Sequence, residues 1–200
     1  HPEVTITWEK RSLQGFESTP VDVLAATFDL MVIDHPHVGE VTAQNCLAPL
    51  DVQGREAERA VLAEGTVGRS YESYTYDGRQ WAFPIDAAAQ VMAWRPNRIE
   101  PPRDWDGVIA AARAGHVVFP LLPPHSLMSF FTLCASLGQP CSTERGRFVD
   151  PATGTQALEM LAAVAAHLAP GMFRMDPIAA SEAMAAPGDG PSLMPLGYGY

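Results

Sequence analysis

The stretch from Gly78 to Pro96, GRQWAFPIDAAAQVMAWRP, constrains the fold more than any other part of this 200-residue chain. Two apolar pieces of strand character, Trp81-Ala82-Phe83-Pro84-Ile85 and Val91-Met92-Ala93-Trp94, bracket Asp86-Ala87-Ala88-Ala89-Gln90. A tight turn draws on Gly, Asn or Pro at its corner, because these residues tolerate or pre-set the backbone angles there, and the centre has none. The chain therefore runs extended, passes a proline and an acid, and runs extended again. That is the path of a strand leaving one folded unit and entering another. The small side chains of Ala87, Ala88 and Ala89 leave room for such a crossing to pivot.

Before the crossing, Val4-Thr5-Ile6-Thr7-Trp8 alternates β-branched and polar residues, which predicts a strand. Thr19-Pro20-Val21-Asp22 reads as a helix start, with Thr as the cap, Pro at the first helical position and an acid near the positive end. Leu30-Met31-Val32-Ile33 is a continuous apolar run, as a buried parallel strand requires. Strand, helix and strand in this span predict a right-handed βαβ unit. Ligands of open α/β sheets lie beyond the carboxyl ends of the strands. The two predicted strand ends would bring Trp8, Arg11, Ser12, Asp34, His35 and His37 to one edge. A short helix is expected from Gly39 to Asn45 and a charged surface helix from Gly54 to Ala63. A hairpin turning at Asp77-Gly78 is expected over Ser73–Trp81.

After the crossing the texture becomes richer in helix. Asp104 caps a predicted helix from Trp105 to Ala114 that Gly115 ends, and Val117-Val118-Phe119-Pro120 follows as a strand. Ser126 is expected to cap an amphipathic helix carrying Leu127, Phe130, Phe131, Cys134 and Leu137, closed by Gly138. Thr155 to Leu168 predicts a third helix, and the acid-then-proline pair Asp176-Pro177 starts a fourth. Pro191 to Leu196 reads as a strand leading into Gly197-Tyr198-Gly199-Tyr200.

Composition excludes several classes of partner. The formal net charge is −10 and no Lys/Arg cluster exceeds a pair, which disfavours a nucleic-acid backbone and an anionic membrane surface. Hydrophobic content of 47% against 18% charged residues is that of a chain able to bury a core. The opening His1-Pro2-Glu3 and the closing Gly-Tyr-Gly-Tyr read as the interior of a longer protein. Cys46, Cys134 and Cys141 have no zinc-ligand spacing, and a Cys134–Cys141 disulfide is left open. No G-x-S-x-G, phosphate loop or H-E-x-x-H is present, so no catalytic constellation is expected. His35 and His37 beside Asp34 offer metal ligands. With no third histidine at useful spacing, a polar strand-end turn is the expected reading, and no metal or other cofactor is assigned.

The order of these pieces resembles the sugar-binding type of extracellular solute-binding protein, the substrate receptors of ABC importers. The residues that carry the resemblance are Leu47-Ala48-Pro49-Leu50, the Asp77-Gly78 hairpin, Trp81-Ala82-Phe83-Pro84, Val91-Met92-Ala93-Trp94-Arg95-Pro96 and Pro101-Pro102-Arg103-Asp104-Trp105-Asp106. The resemblance implies an α/β, two-lobed fold of the type II periplasmic-binding-protein kind. Lobe I would span residues 1–84, the crossing 85–90, and lobe II 91–200, incomplete at its end. It implies a small polar, carbohydrate-like ligand in an inter-lobe cleft, a membrane permease as partner, a periplasmic location and no chemistry performed on the ligand.

The expected ligand contacts are Trp8, Arg11, Ser12, Asp34, His35, His37, Asp86, His125 and Tyr198. Trp8 can serve as core or as a stacking surface. Arg11 can meet an anionic ligand group or pair with Asp34. Asp86 can accept ligand hydroxyls or anchor the hinge. Trp94 and Trp105 are expected in the core. A metal-dependent periplasmic enzyme using His35, His37 and His125, and the effector-sensing domain of a transcription regulator, are the two rival readings.

Overall fold

A computed structural model describes residues 3–12, 15–16, 19–142 and 146–199. The architecture mixes helix and strand, and by its internal packing the chain divides into two compact units, His1–Ala87 and Ala88–Tyr200.

In the first unit, the helices are α1 (Val21–Ala25), α2 (Val38–Gln44) and α3 (Glu56–Glu64), with short 3-10 turns at His35–His37 and Glu72–Tyr74. Strands β1 (Thr75–Tyr76) and β2 (Arg79–Gln80) form the predicted hairpin, Thr75 opposite Gln80 and Tyr76 opposite Arg79. Asp77 and Gly78 both take positive φ, 51° and 72°, the turn whose twist matches that of antiparallel strands. The core gathers Val21, Ile33, Val38, Val41 and Trp81. Gln80 is buried and fully engaged. Its amide donates to the carbonyls of Tyr71 (3.1 Å) and Ala82 (2.7 Å), and its side-chain oxygen accepts from Thr75 Oγ1 at 2.6 Å. Helix α3 buries no residue, as its charged sequence predicts.

The predicted βαβ unit does not form. Among the described residues neither Val4–Trp8 nor Leu30–Ile33 belongs to a strand. Val4, Ile6 and Trp8 are all exposed, Trp8 at 78%. In the second segment Ile33 is buried and Met31 packs on the core, while Leu30 and Val32 face outward. The run is thus an extended chain with one buried side, whereas a parallel strand would be covered on both. Alternation and β-branching describe a surface suited to pairing, but a ladder also needs a partner's backbone. Nor does Thr19 cap α1. Its hydroxyl donates back to the Gly15 carbonyl at 2.6 Å, and the cap position is Pro20.

The second unit is built on β3 (Gln90–Trp94) and β4 (Leu193–Tyr198), antiparallel, with Gln90 opposite Tyr198 and a register shift between Val91 and Ala93. Helices α4 (Trp105–Arg113), α5 (His125–Ser136), α6 (Pro151–Ala165) and α7 (Pro177–Ala185) complete it, with a 3-10 turn at Pro170–Arg174. Three helices start on aspartates. Asp104 accepts from the Gly107 amide at 2.9 Å, Asp150 from Thr153 at 3.1 Å and Asp176 from Ala179 at 2.8 Å. Helix α6 therefore begins at Asp150-Pro151, earlier than Thr155, because an acid cap followed by proline is a stronger start than the threonine. Ser126 lies inside α5, after a cap at Pro124.

Val117, Val118, Phe119 and Leu193 sit at the centre of this unit, each 2% exposed or less. Val117 bridges Leu193 in parallel sense, and the Val118 amide donates to the Leu193 carbonyl at 2.9 Å. The Trp105 ring meets Phe119 edge-on at 6.4 Å, and its indole N–H donates to the Met160 carbonyl at 3.0 Å. Trp94, expected in the core, is 42% exposed, because the register of β3 turns it to the outer side. At Gly197, an added Cβ would lie 2.5 Å from the Met194 sulfur, so the thioether occupies the place a side chain would take.

Candidate functional site

Each unit carries a polar and aromatic cluster. In the second, α5 presents His125 at its first turn and Ser129 one turn later on the same face, both buried. Gln90 opens β3. Its amide donates to Ser129 Oγ at 3.1 Å, and its oxygen accepts from Thr132 Oγ1 at 2.6 Å. Tyr198, opposite Gln90 across the ladder, brings its ring to 6.4 Å from the His125 imidazole at an angle of 59°. Strand β3, helix α5 and strand β4 thus converge with one amide, two hydroxyls, an imidazole and a phenol. His125 and Ser129 lie inside, while Gln90, Thr132 and Tyr198 are half-buried, so the edge of the set presents an amide, a hydroxyl and a phenol face.

Burial pushes the His125 pKa below its ordinary value of 6.5, and the Asp176 charge works against that shift without cancelling it. The unfolded chain therefore takes up a proton at this site at higher pH than the folded one. Stability contributed by the neutral ring is complete above pH 6.5 and is lost as pH falls through the depressed value. We expect the melting temperature to fall more between pH 7 and pH 5 in the native chain than in a His125→Gln variant. Thermal unfolding followed by circular dichroism at the two pH values checks this.

In the first unit, Tyr74 is the centre. Its hydroxyl donates to the Ile33 carbonyl at 3.0 Å, and the His35 ring stands edge-on to it at 6.3 Å. Burial, then the charges of Asp34 and Asp86, push the Tyr74 pKa up, so the phenol keeps its proton and remains a donor. Asp86 accepts from the Ala87 amide at 2.7 Å. His37 turns toward Glu40, its Nδ1 3.9 Å from the carboxylate.

The structure thus brings His35 against Tyr74, with the charges of Asp34 and Asp86 acting on its phenol, and His125 against Tyr198. With the strand edge absent, the predicted reason for joining Trp8, Arg11 and Ser12 to Asp34, His35 and His37 is lost. Ser12 Oγ accepts from the Gly15 amide at 3.1 Å, the Arg11 guanidinium lies over the Phe16 ring at 5.5 Å, and Trp8 is open to solvent. Tyr74, Gln90, Ser129 and Thr132 escaped the sequence reading. Ser129 was within reach of it, standing four residues after His125 on a helix already expected. Among the described residues no group of three or more His, Cys, Asp or Glu could hold a metal ion. A cavity of about 450 Å³ in the second unit is lined mainly by apolar side chains such as Met92, Trp105, Leu133 and Met160, with Thr132 of the polar cluster and Asp104 also on its wall.

No family model matches the chain, and no curated protein matches it. Solved structures do. One is the Thermus thermophilus maltotriose binding protein bound with maltotriose, at 18% identity and a TM-score of 0.56, over 83% of this chain and 46% of that one. The chain spans about half the length of that protein, and at this identity the likeness is one of fold.

Proposed function

We propose that the chain is the ligand-capturing part of a solute-binding receptor, taking a small carbohydrate and presenting it to an ABC permease outside the cytoplasm, without chemical change to the sugar. The observation that carries this reading is the convergence of Gln90, His125, Ser129 and Tyr198 from three elements of the second unit. Hydrogen-bonding side chains that are themselves held in place, next to a phenol face, bind hydroxyl groups with little ordering cost. The fold likeness to a maltotriose binding protein supports a sugar as the ligand class. In the first unit, Asp34 and Asp86 are acceptors of the kind sugar hydroxyls need.

A thermal-shift panel of maltose, maltotriose, other oligosaccharides, polyols and organic acids tests the proposal. A ligand present at 100 times its dissociation constant stabilises the folded state by about 2.7 kcal/mol. For a chain of this size that corresponds to a rise of roughly 5–10 °C in melting temperature. At least one carbohydrate is expected to reach this range. A panel in which only organic acids shift the melting point, or none does, overturns the reading.

A further inference from the structure

Helix α5 ends in a Schellman closure. The Gly138 amide donates to the Ala135 carbonyl at 2.9 Å and the Gln139 amide to the Cys134 carbonyl at 3.1 Å, with Gly138 at φ 84°. The left-handed glycine folds the chain back along the last helical turn. Cys141 thereby joins the apolar cluster formed by Leu133, Cys134 and Ala157, with Val149 beside it. Cys134 is fully buried and Cys141 half-buried, and both are free thiols in this structure. Cys46, the third cysteine, belongs to the first unit, where its thiol faces the Gln44 side-chain oxygen at 3.8 Å.

From this closure and shared packing we infer that Cys134 and Cys141 are a dithiol site that a small disulfide oxidant converts to an intramolecular disulfide pinning the end of α5. Cys141 is the ionisable neighbour of Cys134 within this cluster. Burial first, and then this neighbour, push the Cys134 thiol up, which leaves Cys141, the more accessible of the two, as the first to react. The Cys141 thiolate attacks one sulfur of the oxidant, forming a mixed disulfide and releasing one thiol of the oxidant, which takes up a proton. The Cys134 sulfur, giving its proton to solvent, then attacks Cys141 Sγ and displaces the second thiol. Two electrons and two protons pass from the protein to the oxidant. The closed ring spans residues 134–141 and fastens the helix that also carries His125 and Ser129.

The test uses the purified chain, equilibrated in oxidised glutathione or in dithiothreitol, quenched with acid, unfolded, alkylated with iodoacetamide and weighed. In oxidised glutathione we expect a peptide linking Cys134 to Cys141, neither of them alkylated, with Cys46 carrying either the alkyl group or a glutathione. In dithiothreitol all three are alkylated. The oxidised chain should melt roughly 5–10 °C above the reduced one, because a cross-link removes freedom from the unfolded chain. Cys141→Ser, which leaves the buried Cys134 in place, should lose both the linked peptide and that difference in melting temperature. Three alkylated cysteines in oxidised glutathione, or a lasting glutathione adduct on Cys141 with Cys134 alkylated, overturns the inference.

Discussion

Replacing Phe119 by alanine is expected to cost the second unit about 3–5 kcal/mol, the range for a large buried aromatic whose cavity cannot fully collapse. Phe119 has no exposed surface and stands among Val108, Ala112, Val117, Val164 and Leu193. The ring also meets Trp105, whose indole is held by the Met160 carbonyl, so the wall on that side cannot close freely around the vacancy. For a chain of about this length the loss translates into a fall of roughly 10 °C or more in melting temperature. Leu158→Ala, at a position 58% exposed on α6, removes a smaller, outward-facing hydrocarbon group and should change stability by no more than about 0.5 kcal/mol. Unfolding of the two variants in urea, followed by circular dichroism, decides the matter. Equal midpoints would mean that the centre of this unit does not lie at Phe119.

The double variant His125→Gln, Tyr198→Ala is expected to weaken binding of the best carbohydrate from the thermal-shift panel by about 100-fold, or about 2.7 kcal/mol. Tyr198 supplies the aromatic face and His125 the nearest ring to it, so the pair should act as the anchor of the proposed site. The glutamine keeps a donor and an acceptor at a buried position, which limits the damage to folding. Isothermal titration of the native chain, both single variants and the double variant gives the affinities. A Glu40→Gln variant, on the exposed face of α2, serves as the control and should bind as the native chain does. Undiminished affinity in a folded double variant would remove Tyr198 and His125 from the site.

Some local signals determine their own conformation, while the Thr19, Ser126 and Thr155 starts give way to neighbouring prolines and an acid. The Asp77-Gly78 turn, the Asp104 cap, the Asp176-Pro177 start and the Gly115 and Gly138 closures all depend on neighbours a few residues away. The two strands expected at Val4–Trp8 and Leu30–Ile33 depend on a distant backbone, and alternation cannot reveal whether one is there. The candidate site divides in the same way. His125 and Tyr198 stood out by type and position, but Gln90 holds Ser129 and Thr132 across 39 and 42 residues of chain, a pairing that no spacing rule encodes. Tyr74 was hidden for another reason. Inside a hairpin pattern its aromatic ring reads as ordinary sheet surface, and only the tertiary fold joins its phenol to the Ile33 carbonyl and exposes it to the charges of Asp34 and Asp86.

Gly197 gives up its side-chain space to a neighbour. Because the Met194 sulfur already lies where a β-carbon would go, the penultimate position of β4 works as a gunsight whose notch is an absence. On a bare backbone the strand passes Met194 without displacing its thioether, and the next residue, Tyr198, lies against His125. A side chain at 197 would first have to displace the Met194 thioether, so the packing beside Tyr198 is set in part by an atom the chain leaves out.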